Sequence, residues 1–136
     1  MTRVKQGSLL DSWALIAYLS GDRRGAAVRD LLRSADAAGE RLLMNEINIG
    51  EVYYLVARRR SPAAAETFLQ TLETMPIDPT SNAFADVIEA AKLKAQYAIS
   101  YADAFAAATA IRHGAILVTG DPEFRTLESQ VTIRWI

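Results

Sequence analysis

The sequence contains no cysteine and only one histidine, His113. The lack of cysteine excludes disulfides, thiolate zinc sites and a cysteine nucleophile, and a single histidine excludes a histidine-based zinc cluster. The chain also lacks an apolar run of 18 or more residues, which a membrane-spanning helix needs, and its first residues lack the apolar region of a signal peptide. We therefore expect a cytoplasmic protein with no membrane partner.

Charge of either sign is not in excess, because 15 basic and 16 acidic residues give a net charge of −1. Overall charge therefore does not indicate nucleic-acid binding, and any such role depends on where individual cations lie. The densest basic run closes a predicted helix, where cations also favour the negative end of the helix dipole. The candidate nucleic-acid contacts are Arg58, Arg59 and Arg125, with Arg23, Arg24 and Arg60 as further candidates.

Repeats, low-complexity segments and Gly/Ser/Pro-rich linkers are absent as well, so we expect one domain over residues 1–136. Predicted strands are Ser8–Leu10, Arg41–Met44, Met75–Ile77, Ala115–Val118 and Val131–Trp135. Predicted helices cover about 12–20, 24–38, 46–60, 62–74 and 80–97, then the segment through Asp103 to about 113, then a short stretch after Pro122. This alternation predicts an α/β fold in which helices flank a central, mainly parallel sheet.

Two aspartates directly follow predicted strands. Asp11 comes after S-L-L, and Asp121 comes after A-I-L-V-T-G. Both also suit a helix N-cap, for the helix beginning near Ser12 and for the one beginning at Pro122. Because functional sites in parallel sheets form at the carboxyl ends of the strands, we expect both aspartates at one crevice.

Two further acids fall on apolar faces of predicted helices. Asp103 follows Ser100 at the spacing of a capping box, yet alanines three, four and seven residues later share its face, which favours burial. Glu51 has an apolar residue four positions away on either side. Glu46, in contrast, falls in the first turn of its helix, where the helix dipole favours an acid, so we assign it a structural role.

The four carboxylates Asp11, Glu51, Asp103 and Asp121 are thus expected to converge. Two carboxylates about 4 Å apart repel by roughly 4 kcal/mol at an effective dielectric near 20, so four together need protons or a cation. Ligation by oxygen alone indicates Mg²⁺, or Mn²⁺. Such an ion activates an attacking water and neutralises the transition state, which predicts metal-dependent hydrolysis of a phosphodiester.

Other α/β proteins also place acids at strand ends. A phosphoacceptor receiver domain needs a late lysine, but the last lysine here, Lys94, precedes Asp103. A phosphatase of the haloacid dehalogenase type needs D-x-D after the first strand, where this chain has D-S-W. Both classes are disfavoured. A binding module that keeps the acids but acts by docking a protein partner stays open as an alternative.

Three segments carry a resemblance to a known family. They are L-L-D-S-W-A-L-I-A-Y-L (9–19), N-I-G-E-V-Y-Y-L-V (48–56) and I-S-Y-A-D-A-F-A-A-A-T-A-I-R-H-G-A-I-L-V-T-G-D-P-E-F (99–124). In their order and spacing these segments resemble the PIN-domain ribonucleases, and within them the VapC-type toxins of toxin–antitoxin pairs. The resemblance covers nearly the whole chain.

The resemblance implies a three-layer PIN-like nuclease domain with strand order 3-2-1-4-5. It implies an Mg²⁺-dependent endoribonuclease toxin whose metal-binding and catalytic acids are Asp11, Glu51, Asp103 and Asp121, with Thr119 as a supporting polar residue near the metal. RNA is the implied substrate. The implied partner is a cognate antitoxin whose C-terminal segment lies over the acidic groove. The implied assembly is a homodimer of this chain or a toxin–antitoxin hetero-oligomer.

The chain departs from the family pattern at two positions. Trp13 stands where the family often has a small polar residue, and Gly120 stands where it often has asparagine. The acids survive both changes, which instead affect hydrogen bonding around the metal and substrate choice. We expect Trp13 to be a core or interface aromatic residue rather than a base-stacking one.

Overall fold

The computed structural model describes residues 6–136 as an alternation of strands and helices. The strands are β1 (Ser8–Leu10), β2 (Leu42–Asn45), β3 (Ile77–Thr80), β4 (Ile116–Thr119) and β5 (Ile133–Trp135). The helices are α1 (Ser12–Leu19), α2 (Gly25–Ala38), α3 (Glu46–Arg59), α4 (Pro62–Thr74), α5 (Phe84–Gln96), α6 (Tyr101–His113) and a 3₁₀ helix (Pro122–Leu127). Within this part of the chain, no helix has the length and apolarity needed to span a membrane.

The five strands form one parallel sheet in the order β3-β2-β1-β4-β5. This confirms the predicted α/β class and the strand order. The chain first builds outward from β1 through β2 to β3, then crosses back to add β4 and β5 on the other side. The carboxyl ends of β1 and β4 therefore lie at the point where the winding direction reverses, which is where such sheets form a crevice.

Some predicted boundaries were wrong by a few residues. β3 begins at Ile77 instead of near Met75, and it continues to Thr80, which takes the place of the predicted start of α5. Pro79 is tolerated within β3 because this strand lies at the edge of the sheet, where one side needs no backbone donor. β2 and β4 each end one residue later than expected, and β5 begins two residues later, at Ile133.

Apolar side chains cover both faces of the sheet. Neighbouring residues of a strand point to opposite faces, so Leu9 packs with Leu117 on the side of α5 and α6, while Leu10 packs with Val118 on the side of α1 to α4. All four side chains are fully buried. The resulting three layers hold the carboxyl ends of β1 and β4 rigidly between helices.

Small residues bring α6 close to the sheet. Residues 103–110 are all buried, and most of them are alanine. The expected buried face of this helix is therefore confirmed, although Ile111, which lies eight residues after Asp103 and continues the same helical spacing, is 46% exposed. On the sheet side, the Asn45 side chain donates a hydrogen bond to the Thr109 hydroxyl at 2.8 Å, which ties the end of β2 to α6.

Gly25 occupies a tight contact between α1 and the start of α2. A Cβ atom at this position would lie 2.4 Å from the carbonyl oxygen of Ala17. We expect Gly25→Ala to lower the free energy of unfolding by about 1–3 kcal/mol, because backbone atoms must move to relieve the overlap. Urea denaturation followed by circular dichroism measures the change.

Gly50→Ala is the matched control. Gly50 is exposed within α3, and a Cβ atom there would meet nothing within 4 Å. Alanine should therefore raise the free energy of unfolding by about 0.5–1 kcal/mol through helix propensity. Similar changes in both variants would contradict the assigned role of Gly25.

Candidate active site

Asp11 lies just after β1 and is fully buried. Its Oδ1 accepts the backbone N–H of Ala14 at 2.8 Å and so caps α1, while its Oδ2 accepts the hydroxyl of Thr119. The pKa of Asp11 is raised to about 7, mainly by burial and in smaller part by the nearby charges of Asp121 and Glu51, while the two hydrogen bonds act to lower it. Asp11 is thus both the expected cap and a member of an acidic group.

Thr119 joins the two aspartates that follow the central strands. Its buried hydroxyl donates to Asp11 and accepts the backbone N–H of Asp121 at 3.0 Å. Asp121 in turn caps the 3₁₀ helix, because its Oδ1 accepts the backbone N–H of Glu123 at 3.0 Å. The polar residue that we expected near the site therefore fixes the spacing of Asp11 and Asp121.

Asp103 lies in the first turn of α6 and is 7% exposed. Ser100 caps the helix by accepting the backbone N–H of Asp103 at 3.1 Å. The carboxyl group of Asp103 is hydrogen-bonded to the side chain of Glu123. Burial, this hydrogen bond and the charges of Asp121 and Asp11 together raise the pKa of Asp103 to about 9.

Glu123 is the site residue that sequence reasoning missed. Its Oε2 accepts the backbone N–H of Ser100 at 3.2 Å. The hydrogen bonds from Asp103 and Ser100 lower the pKa of Glu123, so this carboxyl group is ionised while Asp103 retains its proton. The only available signal was an acid two residues after Asp121 in D-P-E-F, at the start of a tight helix.

Carboxylate oxygens of Asp103, Asp121 and Glu123 lie within 4.8 Å of one another. Glu51 is half-buried on α3 and lines the same cleft, of about 550 Å³, as these three residues. Asp11 is too deeply buried to line the cleft and connects to the group through Thr119. The structure thus brings all four sequence-predicted acids to one edge of the sheet and adds Glu123 to them. Asp11 and Glu51 lie outside the group whose oxygens are within 4.8 Å of one another.

The donor set of this group suits a hard divalent cation. It offers carboxylate oxygens alone, which are the ligands that Mg²⁺ prefers, and contains neither nitrogen nor sulfur. A proton held between Asp103 and Glu123 relieves the repulsion between them. A divalent cation supplies positive charge at the same place and would replace that proton. We refer to Asp103, Asp121 and Glu123 as the carboxylate cluster.

The two departures from the family pattern meet at this site. Trp13 is half-buried and lines the cleft, so it is not a core residue, and the interface role that we also expected for it stays a prediction. A Cβ atom at Gly120 would lie 2.3 Å from Cη2 and 2.4 Å from Cζ3 of the Trp13 ring. Trp13 therefore packs directly on the backbone between Thr119 and Asp121 and requires glycine there.

Only some of the predicted nucleic-acid contacts line the cleft. Arg59 lines the cleft, as does Arg24 from the loop between α1 and α2. The Arg58 guanidinium lies 5.2 Å from the ring centroid of Tyr54 instead. Arg125 is exposed on the 3₁₀ helix and does not line the cleft.

Comparison with solved structures shows the same fold in proteins of distant sequence. VapBC from Salmonella typhimurium, bound to DNA, has a TM-score of 0.74 at 14% identity over 96% of this chain and 98% of that one. VapBC2 from Rickettsia felis, bound to a promoter DNA fragment, has a TM-score of 0.72 at 16% identity over 95% of this chain and 98% of that one. The Sarcin-Ricin loop cleaving toxin VapC20 from Mycobacterium tuberculosis has a TM-score of 0.68 at 17% identity over 88% of this chain and 94% of that one.

Sequence comparison gives the family. No curated protein matches the chain significantly. The family model of the PIN domain, however, matches residues 8–129 and so covers both central strands, all five acids and the helices that carry them. The protein belongs to the PIN domain family.

Proposed function

We propose that this protein is a metal-dependent endoribonuclease and the toxin of a VapBC-type toxin–antitoxin pair. The observation that carries the proposal is the carboxylate cluster at the carboxyl edge of β1 and β4, beside an open cleft. Membership of the PIN domain family supports a nuclease. Likeness to VapBC structures, and to a toxin named for cleaving the Sarcin-Ricin loop, supports RNA as the substrate and an antitoxin as the partner.

The proposed cofactor is Mg²⁺, with Mn²⁺ as a substitute. Asp103, Asp121 and Glu123 are its proposed ligands, because their oxygens lie closest together. Asp11 and Glu51, which the resemblance also implies as metal-binding acids, stay proposed members of the site beside them. When bound, the ion lowers the pKa of the attacking water and neutralises charge on the phosphodiester in the transition state.

The chain itself holds these acids in fixed positions before substrate arrives. The Thr119 hydroxyl accepts the backbone N–H of Asp121 and donates to the carboxylate of Asp11. Ser100 anchors Asp103 through its hydroxyl and Glu123 through its backbone N–H. Oxygens of Asp11, Asp121 and Glu123 each accept a backbone N–H, and the Asp103 carboxyl group is held by Glu123. Little reorganisation is therefore needed in the reaction, which is the main requirement of electrostatic catalysis.

Nuclease activity should depend on the carboxylate cluster. We expect purified protein to cleave single-stranded RNA with Mg²⁺ and to lose activity with EDTA. Asp103→Asn, Asp121→Asn and Glu123→Gln should each lower kcat by about 10²–10³-fold, as removal of one electrostatic group in an active site commonly does. Gel analysis of labelled RNA measures the rates.

Glu46→Gln is the matched control, because Glu46 is an exposed acid in the first turn of α3 and does not line the cleft. It should cleave at the wild-type rate. Metal-dependent cleavage that persists in Asp103→Asn would contradict the proposed site. A protein that binds no Mg²⁺ or Mn²⁺ and cleaves no RNA would instead favour a protein-binding module.

Thermal stability without metal should fall as the pH rises. The pKa of Asp11 is raised from 3.8 to about 7 and that of Asp103 from 3.8 to about 9, so the folded chain binds protons more tightly than the unfolded chain. The stabilisation is complete below about pH 4 and is lost as the pH rises through 7 and then 9. Each unit of raised pKa corresponds to about 1.4 kcal/mol, or several degrees in Tm.

Differential scanning fluorimetry in EDTA should therefore show Tm decreasing by several degrees or more from pH 5 to pH 9. Mg²⁺ should raise Tm more at pH 9 than at pH 6, because it replaces protons that are absent at high pH. Asp103→Asn should flatten the curve. A wild-type Tm in EDTA that is constant over this range would show that burial and the neighbouring charges do not penalise the ionised acids as described.

The proposed antitoxin should bind through a basic segment. The acids of the cleft attract cations, and an arginine can form paired hydrogen bonds with a carboxylate there. We expect a cognate partner, co-expressed and purified with this chain, to inhibit cleavage and to bind more weakly at high salt. A co-purified inhibitor without basic residues in its contact segment would contradict this.

A further inference from the structure

The cleft that holds the acids also has a cationic side. Arg24 and Arg59 both line it, and they come from different elements, the loop before α2 and the last turn of α3. Among the other lining residues are the acids Asp22, Glu51 and the carboxylate cluster. A polyanion that enters such a cleft is repelled by the acids, so it needs cations beyond those at the reacting phosphate.

Arg24 is held against the cleft wall by Trp13. Its guanidinium lies 5.1 Å from the centroid of the Trp13 ring, and its Nε lies 3.7 Å from Asp22. A cation–π contact of this kind favours one position of the guanidinium while its N–H groups stay available to an anion. The Arg24 side chain is 57% exposed, so the ion pair with Asp22 is weak and a phosphate competes with it readily.

Trp13 is itself fixed by the backbone that carries the acids, because its ring packs on Gly120. The contacts run from the loop between Thr119 and Asp121 through Trp13 to Arg24. Trp13 therefore links Arg24 to the loop that carries Asp121.

Arg59 approaches the cleft from α3. It is exposed, and in the part of the chain that the structure describes it forms no ion pair. Its neighbour Arg58 is turned to Tyr54. Arg59 thus differs from Arg58 in lining the cleft instead of lying over an aromatic ring.

We propose that Arg24 and Arg59 bind RNA phosphates next to the carboxylate cluster, and that Trp13 is the positioning residue for Arg24. This inference rests on the proposed function for the identity of the strand. Phosphate contacts of this kind fix the register of a nucleic acid without reading its sequence.

Binding is measured separately from cleavage. In an Asp103→Asn background with Mg²⁺, fluorescence anisotropy of a short labelled single-stranded RNA gives Kd as a function of salt. Arg24→Gln and Arg59→Gln should each raise Kd by about tenfold. Each should also reduce the slope of log K against log salt by about 0.7, the value for one lost contact to a single strand. In the protein that retains Asp103, each arginine substitution should raise KM and leave kcat unchanged.

Arg33→Gln is the control, because it removes the same charge from an exposed position on α2 outside the cleft. Its Kd for RNA should equal that of Asp103→Asn with all arginines intact. If Arg24→Gln and Arg59→Gln bind RNA like Arg33→Gln, or if the parent binds no RNA at low salt, the inference fails even where cleavage is observed. If RNA binding needs both arginines but wild-type protein cleaves no RNA, the inference stands and the proposed function fails.

The role of Trp13 is tested by a double-mutant cycle. Trp13→Leu should weaken RNA binding when Arg24 is present and have little further effect in Arg24→Gln. Trp13→Phe should retain binding, because it keeps an aromatic face for the guanidinium. Loss of binding on Trp13→Leu of equal size in both backgrounds would contradict positioning of Arg24. A melting curve of each variant separates this effect from loss of folding.

Discussion

Repulsion among carboxylates at one end of the sheet is the constraint on which the rest of this structure depends. Asp103, Asp121 and Glu123 offer oxygens within 4.8 Å of one another, with buried Asp11 coupled to them. Such a group costs free energy of folding unless protons or a cation are present. Three-layer packing and the hydrogen bonds of Thr119 and Ser100 provide the rigidity that keeps the acids from moving apart.

Most of this arrangement could be predicted because it follows from local patterns and sheet topology. Asp11 and Asp121 follow strands, and parallel strands end at a common edge. The alanines after Asp103 indicate a buried helix face. The pattern that predicts a buried position for Glu51 is weaker, since Ile47, the apolar residue four positions before it, is 43% exposed. It reaches the cleft because α3 packs beside α1 and α6.

The features that escaped prediction depend on contacts between distant parts of the chain. Glu123 joins the site because Ser100, which precedes α6, donates its backbone N–H to it. Nothing within D-P-E-F encodes that contact. Trp13 and Gly120 look like two independent departures from the family pattern, but the structure shows a single contact in which the indole ring occupies the space that a side chain at position 120 would fill.

Helix capping and membership of the site are compatible roles for the same residues. Asp11 caps α1 with Oδ1 and meets Thr119 with Oδ2, so one carboxylate does both. At α6 the two roles are divided, because Ser100 caps the helix and the Asp103 carboxyl group turns to Glu123 instead of back to the helix end. A capping pattern in the sequence is therefore no evidence against a functional acid. It marks the backbone donors that can hold an acid rigidly, and an acidic cleft requires such rigidity if its carboxylates are to stay together against their own repulsion.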